Sequence, residues 1–287
     1  MAEAALSGGA AGREVLVRAP DGVELSVREW GNPRGAEILF IHGAAQCYLS
    51  FKRQIASDLA DRYRLVAFDL RGHGGSQKPL EERFYQRSEV WADDVQAVIE
   101  AKRLRRPILV GWSLGGRVVR QYLMHYGDRA LGGINFLSTR PIEDPSIVGP
   151  GSRAIQASNG LDLPDRLRAE IDFLRNCYAK PPVGDDLLEA IAFNMIVPRA
   201  VREAIAGWST GPEATREALG KVKVPVLITH GLLDQLILPK AAQMTSEATS
   251  GGVISWYEDC GHAPFYEDAA RYNRELDRFV MEASARS

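Results

Sequence analysis

Gly111-Trp112-Ser113-Leu114-Gly115 sits where a serine can be turned into a nucleophile. The apolar run Ile108-Leu109-Val110 precedes it and an amphipathic stretch follows, so Ser113 falls on a strand-to-helix turn. Such a turn needs glycine two residues to either side, because strand and departing helix pass too closely for side chains. The bare pattern is only moderately specific. Roughly 0.1 to 0.2 chance matches are expected in a chain of this length, and Gly207-Trp208-Ser209-Thr210-Gly211 matches as well. Context separates the two: Ser209 follows a helical stretch and precedes Pro212, which marks a helix end and turn. Ser113 is therefore the candidate nucleophile.

A serine hydroxyl is a weak nucleophile at neutral pH and needs a base to take its proton. Of five histidines, His262 in Asp259-Cys260-Gly261-His262-Ala263-Pro264 lies between the last strand-like run and the last helix. Catalytic groups of open α/β sheets gather at such carboxyl ends of strands. His42 and His73 lie in glycine-flanked turns that suit structural roles, and His125 and His230 read as satisfied core or surface histidines. The base in turn needs a carboxylate to orient it. Asp234, in the loop after 226–230, is the candidate, with Glu143 and Asp144 as fallbacks and a turn or helix-cap role as its plain alternative. The small residues after Ile41-His42-Gly43 let a backbone N–H approach a reacting carbonyl oxygen. Ala44 N–H and Leu114 N–H, the latter at a helix N-terminus, form the expected oxyanion pair.

Positioning these groups requires a sheet. Segments 14–18 and 23–30 alternate around Pro20-Asp21-Gly22 and predict a hairpin. Beyond them, strand-like runs at 38–41, 65–69, 108–111, Gly133–Leu137, 226–230 and Val253–Tyr257 alternate with helical stretches. That alternation predicts an α/β fold: a mostly parallel central sheet of about eight strands with helices on both faces. Trp91, Val95, Val98 and Ile99 share one helical face, as do Leu114, Val118, Tyr122 and Leu123. From 140 to 219 the strand pattern lapses into helical runs at 163–179, 187–196 and 198–206, bracketed by proline and glycine clusters. The expected organisation is a flexible leader at 1–12, a core made of 13–139 and 220–287, and a helical insertion at 140–219.

With these residues in place the chain resembles the α/β-hydrolase family over essentially its whole length, from about residue 14 to 281. The resemblance rests on His42-Gly43, on Asp69-Leu70-Arg71-Gly72-His73-Gly74-Gly75-Ser76, on the turn around Ser113, on Asp234 and on Gly261-His262. It implies a serine esterase-like hydrolase whose insertion is a cap over the pocket, and a structural role for the 69–76 loop. Family dehalogenases and epoxide hydrolases carry aspartate at the elbow and dienelactone hydrolases cysteine, where this chain has Ser113. Trp112, Phe173, Phe193, Met195, Trp208 and Phe265 are candidates to line a pocket for a small, largely apolar ester or lactone. Relatives with the same triad include carbon–carbon bond hydrolases, cofactor-free perhydrolases or haloperoxidases, and slow-turnover ligand receptors. No cofactor or metal is called for, and the expected partner is a small-molecule substrate.

Composition sets the outer limits. At 287 residues, 45% hydrophobic and 25% charged, the chain has the balance of a globular protein with a sizeable core. A net charge of −2 argues against non-specific nucleic-acid binding and fits a pocket for uncharged carbonyl substrates. No apolar run approaches the ~20 residues of a membrane span. Three widely spaced cysteines, Cys47, Cys177 and Cys260, fit a reducing compartment, so a cytoplasmic location is expected.

Overall fold

In the computed structural model, residues 12–152, 162–249 and 251–285 are described; the expected leader, apart from Gly12, lies outside them. Eight strands form one sheet: β1 (Arg13–Arg18), β2 (Glu24–Gly31), β3 (Glu37–Ile41), β4 (Arg64–Phe68), β5 (Ile108–Trp112), β6 (Gly133–Leu137), β7 (Val226–Gly231) and β8 (Val253–Tyr257). Their order is β1-β2-β4-β3-β5-β6-β7-β8. The hairpin strands β1 and β2 run antiparallel to each other, and β2 runs antiparallel to β4. All later pairings are parallel. Residues that follow β3 to β8 therefore emerge along one edge.

Strands β5, β6 and β7 are buried along their whole length, which is why they read as continuous apolar runs. Successive residues still separate to opposite faces. Leu39 and Ile41 join one core with Trp91, Val95, Val98, Val118 and Tyr122 from α1 (Ser88–Lys102) and α2 (Leu114–Tyr126). Ile38 and Phe40 join a second core with Phe51, Leu59, Tyr272, Leu276 and Val280. Helices thus cover both faces.

Between β6 and β7 the chain builds the cap from α3 (Leu163–Cys177), α4 (Asp185–Met195) and α5 (Arg199–Ala206). Asp162 caps α3 by accepting the Asp165 N–H at 3.1 Å. A further helix, α6 (Pro212–Gly220), begins at the proline that had marked only a turn; proline is well suited to a first helical position because its missing N–H needs no partner there. Although α6 falls almost entirely within the expected insertion, it packs against α2 and against α7 (Lys240–Ala248) of the core. The terminal helix α8 (Ala269–Ala285) closes the second core. Lys52 ties cap to core through ion pairs with Asp186, at 2.7 Å, and Glu189.

Candidate active site

The turn at Ser113 is under visible constraint. Its φ of +54° is a conformation that non-glycine residues rarely adopt, held by Ser113 N–H to Leu137 O at 3.1 Å and Thr139 Oγ1 to Ser113 O at 2.6 Å. A Cβ on Gly115 would stand 2.1 Å from Ile41 O, and one on Gly111 2.8 Å from Gly115 C. Both glycines are therefore required where β5, β3 and α2 meet. The 69–76 loop has the structural part that the resemblance implied. Arg71 clamps Asp94 through two bonds of 2.7 Å and reaches Asp21 at 2.7 Å, while Asp69 accepts the Tyr48 and Gly75 N–H groups.

His262 is held from three sides. Its Nδ1 lies 2.8 Å from Asp234 Oδ2, its backbone N–H donates to Cys177 O at 2.7 Å, and Trp112 Nε1 donates to its carbonyl at 2.9 Å. With Nδ1 engaged, Nε2 is the nitrogen left for the cavity that His262 shares with Ser113. No hydrogen bond joins the Ser113 hydroxyl to Nε2 among the described residues; catalytic bonds of this kind commonly tighten only when substrate fills the site.

Asp234 is buried at the carboxyl end of β7. Its Oδ1 accepts the N–H groups of Leu236 and Ile237 at 2.8 and 3.0 Å. Burial by itself would raise its pKa, but His262 and His230 outweigh that and hold the carboxyl well below the usual range. The carboxylate thus stays ionised. The fallback acids lie elsewhere: Glu143 accepts from Ser209 and the Thr210 and Gly211 amides, and Asp144 caps a short turn at Ser146.

Ala44 and Leu114 line the same cavity, and among the described residues no protein acceptor takes either N–H. His42 fixes the first of these loops. It accepts the Leu70 N–H at Nε2, 3.0 Å, so Nδ1 carries the proton toward Gly43 O at 2.8 Å. Burial lowers its pKa to about 4, and burial with the neighbouring His42 lowers that of His73 to about 3, so both are neutral rings.

The cavity encloses about 170 Å³ between the sheet edge and the cap. Of the six expected pocket residues it is lined by Trp112 and Phe173. Phe193 and Phe265 instead border a separate groove beside Tyr178, where Phe265 also packs edge-on to Trp112. Met195, at the end of α4, is half-buried and outside the cavity lining, its carbonyl turned to Arg166. Trp208 stacks on Trp91 at 5.0 Å, beneath Arg117, and so belongs to the core. Helical spacing marks which aromatics are buried, but not whether core or cavity lies against them.

Residues 38–275 match the Alpha/beta hydrolase family. The chain belongs to it. The fold of this hydrolase superposes on a Burkholderia cenocepacia protein assigned as an aryl esterase with TM-score 0.90 and 34% identity, over 95% of this chain and all of that one. Esterase RhEst1 from Rhodococcus sp. ECU1013 gives 0.86 and 30%, over 93% and 98% of the two chains. The bifunctional esterase/perhydrolase DCH of Acinetobacter calcoaceticus is 27% identical over 92% of this chain and 98% of its own.

The hydrolase also places in or beside the cavity residues that the motifs did not single out. His230 Nε2 lies 3.3 Å from Asp234 Oδ2 and 2.9 Å from Ile237 O, a second imidazole on the same carboxylate. Its four-residue spacing from Asp234 was the available signal. Arg117, Arg140, Arg202 and Cys177 line the cavity, the thiol pushed up by burial and so unsuited to attack. Arg140 could have been flagged, because it lies just past the carboxyl end of β6.

Proposed function

We propose that Ser113, His262 and Asp234 form the catalytic triad of an ester hydrolase, with the Ala44 and Leu114 N–H groups as its oxyanion site. Membership of the family and likeness to esterases at 30% and 34% identity identify the protein as a serine hydrolase acting on ester bonds of small substrates. The observation that carries the residue assignment is the 2.8 Å bond from His262 Nδ1 to Asp234 Oδ2, which leaves Nε2 for a cavity shared with a serine on a strained turn.

In the first half-reaction Ser113 Oγ bonds to the ester carbonyl carbon and its proton passes to His262 Nε2. Negative charge gathers on the former carbonyl oxygen, facing the two N–H groups at the amino end of α2 and in the 43–46 loop. Collapse breaks the bond to the alcohol oxygen, which takes the proton from His262. Water then attacks the acyl group, gives its proton to Nε2, and Ser113 leaves with it. Asp234 stays ionised and stabilises the imidazolium in both halves. A lactone would follow the same course, its alcohol staying attached to the acyl group.

A fluorophosphonate probe tests the assignment. One adduct per chain is expected, located on Ser113 by peptide mass spectrometry, absent from Ser113→Ala and present in Ser209→Ala. An adduct that survives in Ser113→Ala overturns it. We also place the protein in the cytoplasm, supported by three buried free cysteines. Among the described residues no helix is long and apolar enough to cross a membrane.

A further inference from the structure

The wall of the cavity is unlike the chain's near-neutral average. Arg117, Arg140 and Arg202 line it, and its described lining contains no aspartate or glutamate. Arg117 lies four residues after Ser113 on α2, Arg140 three residues past the end of β6, and Arg202 on cap helix α5. The counter-charges are few. Glu143 lies 3.1 Å from Arg120 and 3.7 Å from Arg117, with its oxygens already taken by Ser209 and the Thr210 and Gly211 amides. Glu170 is paired with Arg202 through Oε1, while its Oε2 is buried and accepts no hydrogen bond among the described residues. Four guanidinium groups, Arg117, Arg120, Arg140 and Arg202, thus share two carboxylates.

Arg140 is the group left over. It is half-buried and among the described residues makes no hydrogen bond and no ion pair. The Nε atoms of Arg117 and Arg202 are buried without a hydrogen-bond partner among the described residues. Guanidinium groups held away from water without an anion are costly, and an arginine fork is matched in shape to a carboxylate. Crowding is felt by the cluster itself: burial first, then Arg140 and Arg120, push Arg117 down to about 9. An incoming anion would relieve this strain, whereas a neutral ligand would leave it in place.

We propose that the substrate of this esterase carries a free carboxylate, bound by Arg140 with Arg117 beside it, while the ester carbonyl lies at Ser113. The proposal rests on the ester-hydrolase reading above and narrows its substrate class to small anionic esters. Phe173, Ile205, Leu236 and Ile237 supply an apolar wall for the carbon skeleton between the two groups. A carboxylate could come from either side of the ester bond, from a half-ester of a dicarboxylic acid or from an acylated hydroxy acid. The electrostatic attraction is the same in each case.

Purified full-length protein separates these cases. Monomethyl glutarate is compared with its uncharged amide, and acetoxyacetate with acetoxyacetamide, with phenyl acetate as a neutral reference. A charge-assisted contact should give kcat/KM at least about tenfold higher for the anionic member of one pair, expressed mainly in KM. The pair that shows the preference identifies the side bearing the carboxylate. Arg140→Met should bring that ratio near one and Arg140→Lys should restore part of it. Among the described residues Arg140 makes no hydrogen bond or ion pair, so its replacement removes no contact seen to hold the fold. Glutarate or glycolate should also inhibit phenyl acetate hydrolysis by the wild type and lose potency against Arg140→Met. Equal rates within both pairs, or a preference that survives Arg140→Met, overturn the proposal. Phenyl acetate hydrolysis that persists in Ser113→Ala would instead overturn the triad assignment on which it rests.

Discussion

Two segments of this chain carry Gly-Trp-Ser-x-Gly, and they have nothing in common beyond those letters. At 111–115 the serine joins a buried strand to a helix at φ +54° and borders the cavity. At 207–211 it joins two helices, and its exposed hydroxyl donates to Glu143 at 2.6 Å. Trp112 sends its indole N–H to the His262 carbonyl, while Trp208 stacks on Trp91 and receives Arg117 on its own carbonyl at 2.7 Å. The first segment is compressed and the second is open: the atom nearest a Cβ on Gly115 is 2.1 Å away, and on Gly207 3.7 Å away. The second segment anchors the returning cap chain to the helix behind the first, through Arg117, Arg120 and Glu143. A motif therefore permits an elbow, and the packing of strand on helix makes one.

The widest gap between the two segments is expected in turnover. Ser113→Ala should lower kcat on phenyl acetate by about 10⁴-fold or more, whereas Ser209→Ala should stay within about threefold, since it loses one exposed hydrogen bond. Comparable losses in both variants would erase the distinction. Next in size is the cost of a methyl group. Gly115→Ala drives Cβ into a backbone carbonyl and should destabilise by about 2–3 kcal/mol. Gly207→Ala, at φ −76° and with its Cβ in ordinary contact no closer than 3.7 Å, should change stability by less than about 0.5 kcal/mol. Urea midpoints read both, and a tolerated alanine at 115 would mean that the elbow can relax.

The last effect concerns acid. Burial would raise the Glu143 pKa, but Ser209, the Thr210 and Gly211 amides and Arg120 bring it from its ordinary 4.5 to about 2. A depressed folded-state pKa contributes stability above the unfolded value and loses it as pH falls toward the folded one. The stability gap between wild type and Glu143→Gln should thus be constant above about pH 5 and shrink from there toward pH 2. Thermal midpoints across that range are the check; a gap independent of pH would show that Glu143 holds the 209–211 turn by hydrogen bonding alone.

Much of the architecture could be read from local pattern. The strands at 38–41, Gly133–Leu137 and Val253–Tyr257 and the helix from Ser88 follow from apolar periodicity, because burial on a sheet or helix face leaves a repeat in the chain. Helix α6 did not announce itself: the Gly207 to Pro212 cluster looks like a breaker, yet its proline begins a helix. That Ser113, Asp234 and His262 would come to one edge of the sheet was legible for a different reason. Each follows a strand, and a parallel sheet brings all such ends to one edge whatever the details of packing.

What the sequence determined by itself was the set of groups at that edge, since strand direction and glycine placement are local constraints. Tertiary structure alone decided what surrounds them. Phe193 and Phe265 went to a neighbouring groove and Trp208 to the core, while Arg117, Arg140 and Arg202 turned to the cavity. A net charge of −2 is a sum over the chain and is blind to position. The field in a pocket depends on which few charges face it and which are already paired, and those distances exist only once cap and sheet have closed on each other.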